Sequence, residues 1–277
     1  MIIKIIRVSV ARYNMDKSIL YQNKKIFYRA FGSGKPVMLV HGFGEDGKVW
    51  NNQVEFLKDK CYLVVPDLPG SGRSEMISDM SMEGLAEVLH SIIHEENIDT
   101  WTVIGHSMGG YITLALVESY WNHVNAFSLF HSTAFADTEE KKETRKKGID
   151  FIKKNGAFEF LKTSTPNLFS PNTKSQTPGM VNEFISGLAS FLPDALVAYY
   201  TAMMNRPDRS NLLRKTENPV LFVAGEHDNA IPLNDVLKQC HLPEKSYIHV
   251  LKKSGHMGML EETETTNQIL RNFLSEN

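Results

Sequence analysis

Gly105-His106-Ser107-Met108-Gly109-Gly110 stands between two apolar runs, Trp101-Thr102-Val103-Ile104 before it and residues 111–117 after it. That order reads as a strand, a tight turn and a helix. In a G-x-S-x-G of this setting the serine occupies a sharp, strained turn, and the two flanking positions must lack a Cβ. The Ser107 Oγ then projects clear of the sheet. The following helix aims free N–H groups at any oxyanion formed there. The stretch has the pattern of a nucleophile elbow. The alternative is a bystander serine in a glycine-rich turn, and the rest of the chain argues against it.

Outward from this turn, short apolar runs alternate with helical patterns. Residues 37–40, 61–65, 126–130, 219–224 and 247–251 read as strands. Met82, Leu85, Leu89, Ile92 and Ile93 have helical spacing, with Ser81 as N-cap. Ile269, Leu270, Phe273 and Leu274 mark a last amphipathic helix. Such alternation predicts a mostly parallel sheet covered on both faces. Residues 18–31 read as a hairpin about Asn23-Lys24-Lys25, ended by Gly32-Ser33-Gly34-Lys35-Pro36. The latter is a turn and not a phosphate loop, because proline follows the lysine where Ser or Thr would hold magnesium.

The pattern is interrupted over residues 131–213. Residues 137–147 are densely charged with mixed signs, and Glu143 and Lys147 have i,i+4 spacing, which predicts a solvated helix face. Residues 163–178 read as a loop rich in Pro, Ser, Thr and Asn. Three or four helices in this interval would form a cap over the sheet's carboxyl edge. The expected division is a core of residues 1–130 and 211–277 with a helical cap of residues 131–210.

A serine nucleophile needs a base, and the base needs an acid to hold it. Gly255-His256-Met257-Gly258 follows the last strand pattern and offers His256. Gly225-Glu226-His227-Asp228 follows the strand before it and offers Asp228. Ser107, Asp228 and His256 then stand in the chain order Ser…Asp…His, each just past a strand's carboxyl end, where open α/β sheets place their sites. Glu226 is the alternative acid, better read as a turn cap, and Asp137 is a remote one. His227 reads as a loop residue and His249 as structural. His90 and His94 lie four apart on a helix, but no third ligand accompanies them, so no metal site is expected. The oxyanion hole combines the backbone N–H of Met108 with that of Phe43, in His41-Gly42-Phe43-Gly44 after residues 37–40. His41 reads as a residue that bonds this loop. Tyr199, Tyr200, Met203 and Met204, in the aromatic part of the cap, are candidates for the pocket wall.

The 277 residues are 42% hydrophobic and 22% charged, with a formal net charge of −2. This is the balance of a globular protein and carries no nucleic-acid footprint or membrane-surface patch. No run reaches the roughly 18 apolar residues of a membrane span. Lys4 and Arg7 break the apolar start, which makes a poor signal peptide and reads as an edge strand or short extension; Met15 is a possible alternative start. Cys61 and Cys240, far apart, suggest a reducing compartment and a cytoplasmic location. Monomer and homodimer remain open.

Together His41-Gly42-Phe43-Gly44, Pro66-Asp67-Leu68-Pro69-Gly70-Ser71-Gly72-Arg73-Ser74, Gly105 to Gly110, and the two downstream blocks carry a resemblance to the α/β-hydrolase fold superfamily. It is strongest to the serine esterase and haloperoxidase-like branch and covers about residues 18–130 and 210–275. The resemblance implies a mostly parallel sheet of about eight strands and a Ser-His-Asp hydrolase with no cofactor. The substrate it implies is a small or medium carboxylic ester. A C–C bond hydrolase of a vinylogous diketone, a lactonase or a thioesterase uses the same residues. The C–C reading asks for a basic residue near the site, for which Arg206 and Arg209 are available. A small-molecule sensor on this fold is a further alternative.

Overall fold

The computed structural model describes residues 15–277, so the expectations for the first residues and the start lie outside the described residues. Eight strands form one sheet: β1 (Met15–Tyr21), β2 (Lys24–Gly32), β3 (Lys35–Val40), β4 (Cys61–Pro66), β5 (Trp101–His106), β6 (Val124–Phe130), β7 (Val220–Gly225) and β8 (Ser246–Leu251). Their order is β1-β2-β4-β3-β5-β6-β7-β8. β2 is antiparallel to both its neighbours, and every other pairing is parallel. The β1–β2 turn falls at Gln22 and Asn23 (φ 49° and 62°), a little before the expected Asn23-Lys24-Lys25. Two consecutive positive φ values match the right-handed twist of the strands they join.

Helices α1 (Asn51–Leu57), α2 (Met82–Glu95) and α3 (Met108–Tyr120) fill the first crossovers. The Ser81 hydroxyl accepts from the Gly84 N–H at 3.0 Å and caps α2. α4 (Glu139–Asn155), α5 (Ala157–Ser164), α6 (Pro171–Gln176), α7 (Pro178–Ser186), α8 (Pro193–Asn205) and α9 (Ser210–Lys215) lie between β6 and β7. These are more helices than the three or four expected there. Prolines 171, 178 and 193 each start one in the first turn, where a missing N–H costs nothing, and Gly156 (φ 89°) parts α4 from α5. α10 (Leu233–Leu237) follows β7; α11 (Gly258–Glu261) and α12 (Thr263–Glu276) follow β8.

Strand side chains alternate between two cores. Val37 and Leu39 of β3 pack with Val54 and Leu57 of α1 and Leu270 and Phe273 of α12. Met38 and Val40 pack on the other face with Leu89 of α2 and Ile112 and Leu116 of α3. Burying each such side chain contributes roughly 1.5–3 kcal/mol. With both faces covered, only the strand ends are left to present functional groups. The β6–β7 helices are tied to this body by polar contacts. The Tyr199 hydroxyl of α8 donates to the Pro69 carbonyl at 2.5 Å, and Arg209 pairs with Glu83 of α2 and Glu118 of α3. Cys61 and Cys240 are buried and free. Among the described residues no helix is long and apolar enough to cross a membrane.

Candidate active site

Ser107 joins β5 to α3 with φ 51° and ψ −116°, a conformation that costs a side-chain-bearing residue about 1–3 kcal/mol. Its neighbours hold it there. The Ser107 N–H donates to the Phe130 carbonyl at 2.9 Å, and its carbonyl accepts from the Ser132 hydroxyl at 2.7 Å and the Gly110 N–H at 2.9 Å. A Cβ on Gly109 would lie 2.5 Å from the Val40 carbonyl oxygen and 2.6 Å from that of His41. Glycine is therefore required where α3 abuts the end of β3.

Asp228 stands past β7 and His256 past β8. The His256 Nδ1–H donates to Asp228 Oδ2 at 2.8 Å. The other carboxylate oxygen, Oδ1, accepts from the N–H groups of Ala230 (2.8 Å) and Ile231 (2.9 Å). A third residue joins them. His131, past β6 and also at positive φ (48°), donates from Nδ1 to Asp228 Oδ2 at 3.0 Å, with its Nε2 buried and unpartnered. Burial alone would raise the Asp228 pKa; the His256 and His131 rings outweigh it and hold the carboxyl well below the usual carboxylate range. Burial opposes charge on His256, but Asp228 overcomes it and raises the ring above the ordinary histidine value. In His131 burial prevails over Asp228 and lowers it. One carboxylate thus serves two differently poised rings. Donation from Nδ1 leaves Nε2 as the basic nitrogen of neutral His256. His131, Asp228 and His256 also offer atoms within 4.8 Å of one another that could ligate a metal, although in this arrangement Asp228 Oδ2 already accepts from both rings.

The loop after β3 is built against the same centre. His41 accepts the Leu68 N–H at Nε2 (2.9 Å) and donates from Nδ1 to the Gly42 carbonyl (2.8 Å), tying the β3 and β4 loops together. Buried Glu45 accepts the Gly42 N–H at 2.7 Å and lies 3.0 Å from His106 Nδ1, whose Nε2 is 3.0 Å from the His256 carbonyl oxygen. Burial would raise Glu45; His106 and the Gly42 N–H outweigh it and lower its pKa. A Cβ on Gly42 would sit 3.1 Å from Ser107 Cβ, so glycine lets this loop close on the serine. The N–H groups of Phe43 and Met108 have no acceptor among the described residues.

Ser107 and His256 line one cavity of about 120 Å³ together with Phe43, Glu45, Tyr111, Arg145, Tyr200, Met203 and Ile231. Of the four expected wall residues, Tyr200 and Met203 reach it. Tyr199 and Met204 do not: Tyr199 is about 100° around the helix from Tyr200 and fully buried with its hydroxyl on Pro69 and Ser71, and Met204, one turn beyond Tyr200, is not on the cavity wall. The Phe43 ring stacks on Tyr200 at 4.2 Å, parting this cavity from one of about 80 Å³ lined by Leu161, Thr165 and Phe184. A larger cavity, about 540 Å³ between Lys35, Phe56 and Arg271, contains none of these groups. Asp137 does not reach His256, being held by Arg145 (2.6 Å) and Arg206 (2.9 Å). Arg206 and Arg209 are engaged in ion pairs and do not line the cavity; the arginine that lines it is Arg145.

Arg145 and His131 were not singled out in the sequence. Arg145 lies in the charged run read as a solvated face, yet Ile149 and Ile152, four and seven residues on, share its side of α4 and are buried. Within that run Glu143 pairs with Lys146, not with Lys147. His131 carried only its place after a strand. For Glu45 the signal was a carboxylate three residues after Gly42, within reach of its N–H.

The chain belongs to the alpha/beta hydrolase family, whose family model matches residues 37–269. It is similar in structure to a thermophilic esterase from Thermogutta terrifontis, with a TM-score of 0.87 and 27% identity over 96% of this chain and 99% of that one. It is 24% identical over 269 residues, 91% of each chain, to a 2-hydroxy-6-oxononadienedioate/2-hydroxy-6-oxononatrienedioate hydrolase of Paraburkholderia phymatum. It is also 24% identical, over 92% of this chain and 97% of the other, to Karrikin insensitive 2 receptor IA of Petunia hybrida.

Proposed function

We propose that this chain hydrolyses small carboxylic esters through an acyl-enzyme on Ser107, with His256 as base and Asp228 as its anchor. The observation that carries this reading is the Asp228–His256 contact of 2.8 Å beside a cavity that His256 shares with the strained Ser107. Ser107 Oγ attacks the ester carbonyl carbon while its proton passes to His256 Nε2. The tetrahedral oxyanion takes the N–H groups of Phe43 and Met108, each worth about 3 kcal/mol in such a site. Collapse expels the alcohol, which receives the proton from His256. Water then gives a proton to His256 and attacks the acyl carbonyl; the second collapse frees the acid and returns the proton to Ser107 Oγ. Asp228 fixes the tautomer and supports the imidazolium. In this reading α4–α8 roof the cavity and set which acyl group fits.

The relatives include an esterase and the dioate hydrolase named above, and the C–C bond reading uses the same residues. Arg145 is the basic residue that reading asks for, whereas the small cavity favours a short ester. Initial rates on methyl esters of two to eight acyl carbons, beside a ring-cleavage dienoate, test the choice. Turnover of the shortest esters, lost in Ser107→Ala, is expected. Ester turnover unchanged in Ser107→Ala contradicts the proposal.

A further inference from the structure

Arg145 is the one arginine on the cavity wall, and its side chain is 18% exposed. Its Nε donates to Asp137 Oδ2 at 2.6 Å and its Nη2 reaches Oδ1 at 3.4 Å. Nη1 donates to nothing among the described residues and is not among the fully buried polar atoms. A guanidinium has five N–H donors in a planar fork, so an edge of the fork is unspent.

The charge count around it points the same way. Asp137 is shared with Arg206, whose Nη1 lies 2.9 Å from it, leaving two guanidiniums on one carboxylate. Arg206 also donates to the Met203 and Phe135 carbonyls and lies 3.8 Å from the Tyr111 ring. Of the two cations that share Asp137, Arg145 is the one on the cavity wall, where it lies over the Tyr200 ring at 5.3 Å. Glu45, the acid in this cavity, already accepts from Gly42 and faces His106. A mostly buried cation with a free donor, on a wall it shares with the apolar Met203 and Ile231, is matched by an anion brought by the ligand.

We propose that Arg145 receives a substrate carboxylate, so that the esters this site takes are short hemi-esters of dicarboxylic acids. This rests on the ester reading above for the reacting bond, while the carboxylate site itself does not depend on turnover. The 120 Å³ volume fits a chain of a few carbons between the ester carbonyl and the anion. The ester bond beside Ser107 is cleaved as described above, and the carboxylate at Arg145 takes no part in the chemistry.

Calorimetry on Ser107→Ala separates the two ideas, because it reads binding whether or not Ser107 is a nucleophile. Methyl hydrogen succinate and its neutral analogue methyl 4-methylpentanoate are the probes. The hemi-ester is expected to bind at least about tenfold tighter, as a charge-assisted contact of about 1.5–3 kcal/mol requires. Adding Arg145→Gln is expected to bring the ratio near one, and Arg145→Lys to restore part of it. Equal binding of the two probes to Ser107→Ala overturns the proposal without recourse to a second variant. So does a preference for the hemi-ester that survives in Arg145→Gln, which would make Arg145 a brace for Asp137 alone.

Discussion

The carboxyl edge of the sheet and the helices between β6 and β7 face each other across one small cavity, yet they are built by different rules. On the sheet side, backbone geometry fixes the groups. Gly109 permits a backbone contact that no side chain could, Gly42 one that a Cβ would crowd, Ser107 is held at φ 51°, and Asp228 is gripped by two N–H groups and two rings. On the helical side, Arg145, Tyr200 and Met203 are presented from the faces of α4 and α8, in ordinary helical backbone. The contrast teaches that the residues proposed to make and break bonds are fixed by the chain's path, and those proposed to select the ligand by side-chain volume and charge.

If that contrast is right, substitutions on the sheet side cost the most. Ser107→Ala is expected to lower ester kcat by about 10⁴–10⁶-fold, read by initial rates with the fold checked by circular dichroism. A loss under tenfold would place the nucleophile elsewhere. Asp228→Asn should follow, with a loss near 10⁴-fold in kcat, since the amide favours the wrong His256 tautomer. The pH profile sharpens the same point. His256 must be neutral to accept the Ser107 proton, and its pKa is raised. kcat/KM should therefore fall about tenfold per pH unit on an acid limb whose midpoint lies above 6.5, the ordinary histidine value. A midpoint below 6.5 would mean that Asp228 does not hold the imidazolium.

His131→Gln probes a smaller effect on the same side. It removes one charge-assisted bond to Asp228, and about 1.5–3 kcal/mol corresponds to roughly 10- to 100-fold in kcat, with KM little changed. A matched rise in KM with kcat intact would assign His131 to binding. The mildest change lies between the two regions. Tyr199→Phe loses the bond to Pro69 and should cost about 1 kcal/mol, some 2–4 °C in Tm, by calorimetry. No shift would mean that this bond does not help to hold the helices to the body.

The difference between the regions also governs what could be read in the sequence. The strands, the hairpin, the elbow and the Ser…Asp…His order are legible because strand periodicity, glycine and turn chemistry leave marks at fixed spacing. Asp228 is legible for its place past β7, whereas His131, equally near, follows β6 with no motif around it. Arg145 was masked by neighbours of both signs, and only its spacing to Ile149 and Ile152 marks it as inward. Between β6 and β7 residues 163–178 read as a loop, yet α6 occupies Pro171–Gln176 and α7 opens at Pro178, and nothing local says that Tyr200 rather than Tyr199 meets the cavity. That depends on how α8 is rolled against the body, and Gly148 of α4, whose Cβ would lie 2.7 Å from Tyr200, helps set the roll.

The central claim is that Ser107 is an activated nucleophile, and covalent labelling reads it without knowledge of the substrate. Wild type and Ser107→Ala would be treated with a small fluorophosphonate and mapped by peptide mass spectrometry. A single adduct on Ser107, absent from the variant, is the expected result. A folded wild type that takes no adduct, or takes one elsewhere that persists in Ser107→Ala, would contradict the account.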